Sequence, residues 1–467
     1  MQHFSHEQDE FKELVDLVLK YENALTDGNL PNLSEEEYEK IIEYYLNDNS
    51  HEKALEASEV ALQKFPYSSD FSISKADAFL NLGQLKNAKE TLSNIIDFNN
   101  VNYHLILSEI YFLKGKRKKA FKTLKNALII LEDEQKDEIY LQMADFFEEE
   151  GDYGKMLKAL KKALKHNPKN PETFHQLAYV YDLLEQKEKF IKLLNKNLDE
   201  DCFNVLAWHI LALQYKELGK LTEAIEAMEY LVAIEPNNQS YIEDLALLYS
   251  ETYEYKKALE ILLEIKKKSE LSVSGLLVLG VCYIDLENYK KARFCFKEAL
   301  QIDDSNPDIY FHMAKLYYLE DKYAAALPLV QKAHQGYPEN IAFLDLLAHT
   351  YLGLNQLELA IEYFHQILHL KPEKNEMYAK LAMTYFLNKD PDHAIEVLNL
   401  GIESYAFFEL HYYQTVIFFS ENKYLQAMEN FSLGLQNCFE QHQIVFEYLP
   451  NLVEYKPILN KIEEYKP

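Results

Sequence analysis

Histidine and acidic residues are the side chains in this sequence whose spacing could support chemistry. His365 and His369 are four residues apart, so on a helix both imidazoles would lie on one face and could bind a metal ion. No acidic third ligand stands at a fixed spacing from them. Glu148 and Glu149 are adjacent, so their carboxylates would diverge on a helix and could not flank one substrate bond. We therefore predict no metal site and no catalytic pair of carboxylates.

Sequence motifs that bind cofactors are also missing. The chain contains no GxGxxG, P-loop or HExxH motif, so nucleotide-dependent and zinc-protease chemistry have no starting point. The cysteines lack CxxC spacing and stand at Cys202, Cys282, Cys295 and Cys438. The N-terminus carries acidic residues where a secretory signal peptide would carry lysine or arginine. These features predict a cytoplasmic protein with reduced thiols, no cofactor and no enzymatic activity.

Charge and composition restrict the partners further. The 467 residues include 76 acidic and 48 basic side chains, which gives a formal net charge of −28. Nucleic acids and anionic membranes both need a dominant basic surface, so we expect neither as a partner. No stretch approaches the roughly 18 uncharged apolar residues of a membrane-spanning helix. The 12 glycines and 13 prolines are few for a chain rich in tight turns, which favours a helical protein.

A repeated pattern indicates which elements position the side chains. Residues 205–238 contain seven marker residues, at places 4, 7, 8, 11, 15, 20 and 32 of the segment: Trp208, Leu211, Ala212, Tyr215, Gly219, Ala224 and Pro236. This pattern resembles the consensus of the tetratricopeptide repeat (TPR). The same frame recurs along the chain, with repeats that start at 35, 69, 101, 137, 171, 205, 239, 273, 307, 341, 375 and 408.

Three places of the frame have a physical reason. The eighth place is small in every repeat except the first, which has Ile42, because two helices cross there. The twentieth place faces it and is alanine except for Met156 and Phe190. The eleventh place is aromatic in all twelve repeats, where a ring can fill the space between neighbouring repeats.

The resemblance implies an all-α fold, namely a right-handed superhelix of about twelve helix-turn-helix repeats over residues 35–440. Residues 1–34 should supply an N-terminal capping helix and a linker. Ser34 and Glu37 match a capping box at the start of the first repeat helix. Residues 441–467 should supply one C-terminal capping helix. The fifth and twelfth repeats fit the frame least well.

In this family the first helix of each repeat lines the concave groove through its second, fifth, ninth, twelfth and thirteenth places. In repeats one to four these places predict an acidic partner-binding wall of Glu36, Glu39, Glu43, Asp70, Asp77, Glu109, Glu138 and Asp145. In repeats nine to twelve they predict an apolar surface of Phe311, Tyr318, Met383, Phe386, Tyr412 and Phe419. Lysines instead crowd the second helices, at residues 116–125 and 155–165.

The function that the resemblance implies is a non-catalytic scaffold or adaptor, which binds a protein or peptide segment in its groove. The two kinds of groove surface predict a basic ligand with an apolar anchor. Two other functions stay open. One is an assembly or chaperone-like factor that holds apolar segments of client proteins. The other is an all-helical enzyme, which would need clustered polar groups in an enclosed pocket. The pattern predicts no oligomeric state.

Overall fold

The computed structural model of the protein describes residues 2–26, 30–95 and 98–466. All regular elements among these residues are helices, so the predicted all-α fold is confirmed. The chain divides into two compact halves, the N-terminal half (residues 1–235) and the C-terminal half (residues 236–467). Within each half, consecutive helices pack against each other in pairs.

The described residues of the N-terminal half form one leading helix and six helix pairs. Its helices are α1 (Gln2–Thr26), α2 (Glu35–Asn47), α3 (His51–Lys64), α4 (Ser69–Asn81), α5 (Leu85–Leu92), α6 (Val101–Leu113), α7 (Arg117–Ile130), α8 (Lys136–Glu149), α9 (Tyr153–His166), α10 (Pro171–Leu183), α11 (Lys187–Glu200), α12 (Val205–Glu217) and α13 (Leu221–Ile234). A single 3-10 turn, Asp133–Gln135, precedes α8. Helices α2 and α3 form repeat one, and each later repeat takes the next two helices.

The C-terminal half continues with six further pairs and a short terminal segment. Its helices are α14 (Gln239–Glu251), α15 (Tyr255–Lys266), α16 (Val273–Asp285), α17 (Tyr289–Ile302), α18 (Pro307–Leu319), α19 (Tyr323–Gly336), α20 (Ile341–Gly353), α21 (Leu357–Leu370), α22 (Asn375–Leu387), α23 (Pro391–Tyr405), α24 (Leu410–Ser420), α25 (Tyr424–Asn437), α26 (Ile444–Tyr448) and α27 (Lys456–Tyr465). Two 3-10 turns, Phe439–Gln441 and Pro450–Glu454, flank α26.

A left-handed residue ends the first helix of every repeat at the fifteenth place. These residues have φ between +53° and +72° and are Asn49, Gly83, Gly115, Gly151, Glu185, Gly219, Tyr253, Glu287, Asp321, Asn355, Lys389 and Asn422. Glycine adopts this conformation freely, whereas in other residues the Cβ atom makes it sterically unfavourable. The turn therefore recurs with one geometry although only four of the twelve residues are glycine.

Capping residues fix where first helices begin. The Ser34 hydroxyl accepts a hydrogen bond of 3.2 Å from the Glu37 backbone N–H, and the Glu37 carboxylate accepts one of 2.7 Å from the Ser34 N–H. This is the predicted capping box. Asn204 and Ser272 cap later first helices in the same way, through a backbone N–H three residues ahead. These bonds satisfy amide groups that no helix can satisfy internally.

The crossing of the two helices in each repeat is tightly packed. Residues at the twentieth place are fully buried in all twelve repeats. In repeat eight the opposing residue is Gly280, where a Cβ atom would lie 2.2 Å from the Phe296 ring. In repeat five Phe190 takes the place of alanine, and its ring stacks on Tyr181 with 5.2 Å between centroids. The crossing therefore accepts either two small residues or a large residue with a fitted neighbour.

Terminal segments cover both ends of the helix array. Tyr21 of α1 is 2% exposed and packs edge-on against Tyr38 of α2. At the other end, the expectation of one continuous capping helix is wrong. Residues 444–465 form two helices and a 3-10 turn, because Pro450 and Pro457 lack the backbone N–H that would continue a helix.

Candidate functional site

The acidic wall begins on the first helix of repeat one. Glu36, Glu39 and Glu43 are all exposed on α2. Glu36 accepts a hydrogen bond of 2.7 Å from Lys40, one turn away on the same helix. Partial burial and the nearby carboxylate of Asp70 raise the pKa of Glu39. These two carboxylates therefore lie close enough to repel each other across the first two repeats.

Repeats three and four bring carboxylates into a group that we call the acidic cluster, defined as Glu109, Asp145 and Glu149. Burial and the charges of Glu149 and Asp145 raise the pKa of Glu109. Burial is also the main cause that raises the pKa of Asp145, and neighbouring carboxylates add to it. The Gln142 amide donates a hydrogen bond of 2.7 Å to Glu109, and the Gln176 amide donates one of 2.9 Å to Asp145. Neutral amides thus hold these carboxylates in place.

Asp77 and Glu138, two further acids of the predicted wall, lie outside the acidic cluster. Burial raises the pKa of Asp77, although Asn81 donates a hydrogen bond of 3.0 Å to its carboxylate. Burial of the carboxyl group and the charge of Asp137 raise the pKa of Glu138, while much of the Glu138 side chain stays exposed. Asp137 itself is 2% exposed and accepts a hydrogen bond from Asn170, so it acts as a structural residue.

The predicted apolar surface is partly accessible in repeats nine to eleven. Phe311 is half-buried and stacks on Phe343 with 4.8 Å between ring centroids. Tyr318, Met383 and Phe386 are also half-buried, so part of each side chain could meet a ligand. These four residues pack into apolar clusters through the rest of their surface.

In repeat twelve the prediction is wrong, because the chain covers its own surface. Tyr412 is fully buried and donates a hydrogen bond of 2.8 Å to the Cys438 carbonyl. Phe419 is 8% exposed and packs edge-on against Tyr455 of the terminal segment. Both rings belong to a cluster that the terminal segment completes with Val445, Leu452 and Ile458. Neither ring is available to a partner in this structure.

Three side chains that were considered for chemistry, His365, Cys282 and Cys295, take part in hydrogen bonding or packing within the fold. His365 accepts or donates a hydrogen bond of 2.9 Å with the Tyr385 hydroxyl, and burial lowers its pKa. Burial raises the pKa of Cys282 to about 12 and that of Cys295 to about 11, so both thiols stay protonated at neutral pH. Across residues 2–26, 30–95 and 98–466 there is no group of three potential metal ligands. None of the helices described here has the length and apolar character to cross a membrane.

Gln142 and Gln176 belong to the candidate site and were not identified from the sequence. Each stands at the sixth place of its repeat and bonds to the carboxylate at the ninth place of the preceding repeat. A search for polar residues at this pair of places would have found both. The groove places alone could not identify these glutamines, because the sixth place of a repeat is not a groove place.

Comparison with known protein families matches several parts of the chain. Sequence models described as "Tetratricopeptide repeat" match residues 137–180, 205–238 and 346–407. A model described as "TPR repeat" matches residues 280–320. Another, described as "Anaphase-promoting complex, cyclosome, subunit 3", matches residues 227–299. The repeat frame derived from the residues is thus one that several related family models detect.

Individual proteins are similar over shorter stretches or at low identity. Tetratricopeptide repeat protein 8 of Mus musculus is 27% identical over 117 residues, which are 25% of this chain and only 22% of that protein. A tetratricopeptide repeat protein structure from Parabacteroides merdae has a TM-score of 0.45 and 20% identity, and covers 53% of this chain and 98% of its own. The structure of the APC/C hetero-tetramer Cut9-Hcn1 has a TM-score of 0.44 and 14% identity, and covers 87% of this chain and 92% of its own.

Proposed function

We propose that this chain, which belongs to the tetratricopeptide-repeat family, is a non-catalytic scaffold that binds a basic segment of a partner protein along the first helices of its N-terminal half. The observation that carries the proposal is the acidic cluster of Glu109, Asp145 and Glu149. Its carboxylates are held together by the fold although burial and the charges of Glu149 and Asp145 raise the pKa of Glu109, and burial and the charge of Glu149 raise that of Asp145. A cationic ligand would relieve that repulsion.

The helices that carry the cluster, α6 and α8, place no cation beside it. Helix α6 contains no lysine or arginine, and the one lysine of α8, Lys136, pairs with Asp133 at the far end of that helix. Because Gln142 and Gln176 are neutral, their hydrogen bonds orient the carboxylates without cancelling the charge. A lysine or arginine side chain of a ligand would therefore gain charge-assisted hydrogen bonds there.

A separate apolar contact is proposed for the C-terminal half. Phe311, Tyr318, Met383 and Phe386 each keep part of their surface exposed on first helices. Burial of apolar area contributes about 25 cal/mol per Å² before the costs of ordering the ligand. An apolar side chain of the same partner could use this surface, which would add affinity that salt does not screen.

The experiment that tests the proposal measures binding of a synthetic basic peptide to the full chain by fluorescence anisotropy. The peptide has about twelve residues, mostly lysine and arginine with one phenylalanine, and spans about 40 Å when extended. The variant Glu109→Gln with Asp145→Asn should bind it about three- to tenfold more weakly at low salt, because two partly buried charges are lost. The difference should shrink as salt is raised.

The matched control removes the same charge from another surface. Glu223 and Glu226 are exposed on α13, a second helix of the same half, and form no salt bridge within the described part of the chain. The variant Glu223→Gln with Glu226→Gln should bind the peptide as the parent does. Equal weakening by both variants would mean that only the net charge matters and would contradict the proposal. Tight binding of unrelated apolar segments, with no effect of charge, would favour the chaperone-like function instead.

A further inference from the structure

A basic cleft lies among the second helices of repeats three and four. Helices α7 and α9 and the intervening α8 line a cleft of about 810 Å³. Seven of its lining residues are lysine or arginine, and Glu150 is the one acidic residue among them. A local excess of positive charge on a chain of net charge −28 is a departure from the general composition.

Most of this charge is not neutralised by the chain itself. Arg117 lies 3.4 Å from Glu150 and Lys155 lies 2.5 Å from Asp152, so these two cations are paired. Lys118, Lys122, Lys125 and Lys158 are exposed, and none of them forms a salt bridge with any residue that the structure describes. Four unpaired ammonium groups around one cleft create a positive potential that attracts anions.

The floor of the cleft is apolar and aromatic. Phe121 and Phe147 line it and stack on each other with 4.8 Å between ring centroids. Tyr140 and Met143 extend the apolar surface, and Lys162 lies 5.2 Å above the Tyr140 ring. A ligand would thus meet charge at the rim and rings at the base, which is the usual arrangement of a specific binding pocket.

We propose that this cleft binds an acidic peptide segment that places one apolar side chain between its basic walls. Aspartate or glutamate side chains would pair with the free lysines of α7 and α9, and an aromatic or aliphatic side chain would lie on Phe121 and Phe147. The volume suits a few side chains. A flat bilayer cannot reach the floor of a cleft, and a nucleic acid would meet a chain that is acidic outside this patch.

The inference goes beyond the proposed function, because the two sites differ in sign and in place. The acidic cluster lies on first helices and selects cations, whereas the basic side chains of the cleft lie on the second helices α7 and α9 and select anions. The two ligands should therefore bind independently. A chain with both sites could hold a basic segment and an acidic segment of its partners at the same time.

The test uses the full chain and a fluorescein-labelled peptide of about eleven residues, ten glutamates around one central phenylalanine, enough to extend over about 35 Å. Anisotropy at about 50 mM salt should show saturable binding, and a rise to about 200 mM should weaken it. Replacement of Lys122, Lys125 and Lys158 by glutamate should weaken binding at least about tenfold. A peptide with glycine for phenylalanine should bind several-fold more weakly, because the ring contact is lost.

The matched control replaces Lys192, Lys290 and Lys297 by glutamate. These lysines are also exposed on second helices and unpaired among the described residues, so the net charge changes equally without touching the cleft. At the higher salt concentration, which screens the effect of net charge, the dissociation constant of the control for the acidic peptide should lie within about twofold of that of the parent. Both triple variants should bind the basic peptide of the previous experiment at least as well as the parent, which shows that they fold.

Four results would overturn the inference. The first is that the acidic peptide does not bind at low salt, and the second is that both triple variants lose the same amount of affinity for it. The third is that the chain fails to retain the peptide but is itself retained by vesicles of anionic phospholipid or by single-stranded DNA. The fourth is self-association of the parent that the cleft variant abolishes in sedimentation velocity, which would identify a second copy of the chain as the occupant.

Discussion

The side-chain amide of Gln176 donates a hydrogen bond of 2.9 Å to the Asp145 carboxylate, across the boundary between repeats four and five. Gln142 bonds to Glu109 in the same way, one repeat earlier. The sixth place of one repeat thus positions the ninth place of the preceding one. Because the donor is neutral, the carboxylate keeps its charge for a ligand.

Stability should depend on pH through the acidic cluster. Burial and neighbouring carboxylates raise the pKa of Glu109 in the folded protein, so the fold disfavours its charged form. That cost is present at neutral pH and is removed as pH falls through the folded-state pKa. Glu109→Gln should therefore raise the free energy of unfolding at pH 7 by about 0.5 kcal/mol, and the difference should vanish near pH 4. Urea unfolding of parent and variant at both pH values measures it, and a less stable variant at pH 7 would refute the account of this site.

Replacing glycine in the left-handed turn at the fifteenth place should lower the free energy of unfolding. Gly219 has φ of +70° and open space around its Cβ position, so Gly219→Ala isolates the backbone term. We expect a loss of about 1 kcal/mol in unfolding free energy. Gly154 is the matched control, because it lies within helix α9 and also has room for a methyl group. Gly154→Ala should stabilise the protein by about 0.5–1 kcal/mol. Similar effects of both changes in urea unfolding would show that the turn is not strained.

The helix crossing of repeat eight should reject even one methyl group. At Gly280 a Cβ atom would lie 2.2 Å from the Phe296 ring, which is itself fully buried. Gly280→Ala should therefore cost about 1–3 kcal/mol, despite the better helix propensity of alanine. Phe296→Leu should lower the stability of the parent but relieve the clash in Gly280→Ala. A double-mutant cycle by urea unfolding should give a favourable coupling of at least about 0.5 kcal/mol, and simple additivity would contradict the packing described.

Much of the fold could be predicted because its constraints are local and repeat along the chain. Alanine stands at the twentieth place of ten repeats, as at Ala224, because two helices cross there and a small residue lets them pack closely. The capping box at Ser34 was predictable because both partners lie within one turn of sequence. The exposure of Glu39 and Glu43 followed from their places in the frame.

The rest depended on contacts that no single repeat contains. Tyr412 occupies a groove place, yet Val445 and Ile458 from beyond the last repeat join it in one buried cluster. Repeat periodicity carries no information about a segment that is not a repeat. Likewise, Gln142 gains its role only from Glu109 in the repeat before it. The basic cleft was visible as two lysine-rich stretches, but its aromatic floor comes from side chains of several helices.

The most direct test of the central claim is to locate a basic ligand on the chain by photo-crosslinking. The basic peptide would carry a benzophenone group beside its lysines and would be irradiated with the full-length protein, and the attached residues would be identified by mass spectrometry. The account predicts crosslinks within α6, α8 and α10, around Glu109 and Asp145, and their loss in the Glu109→Gln, Asp145→Asn variant. Crosslinks confined to α7 and α9, or scattered equally over both halves, would contradict it.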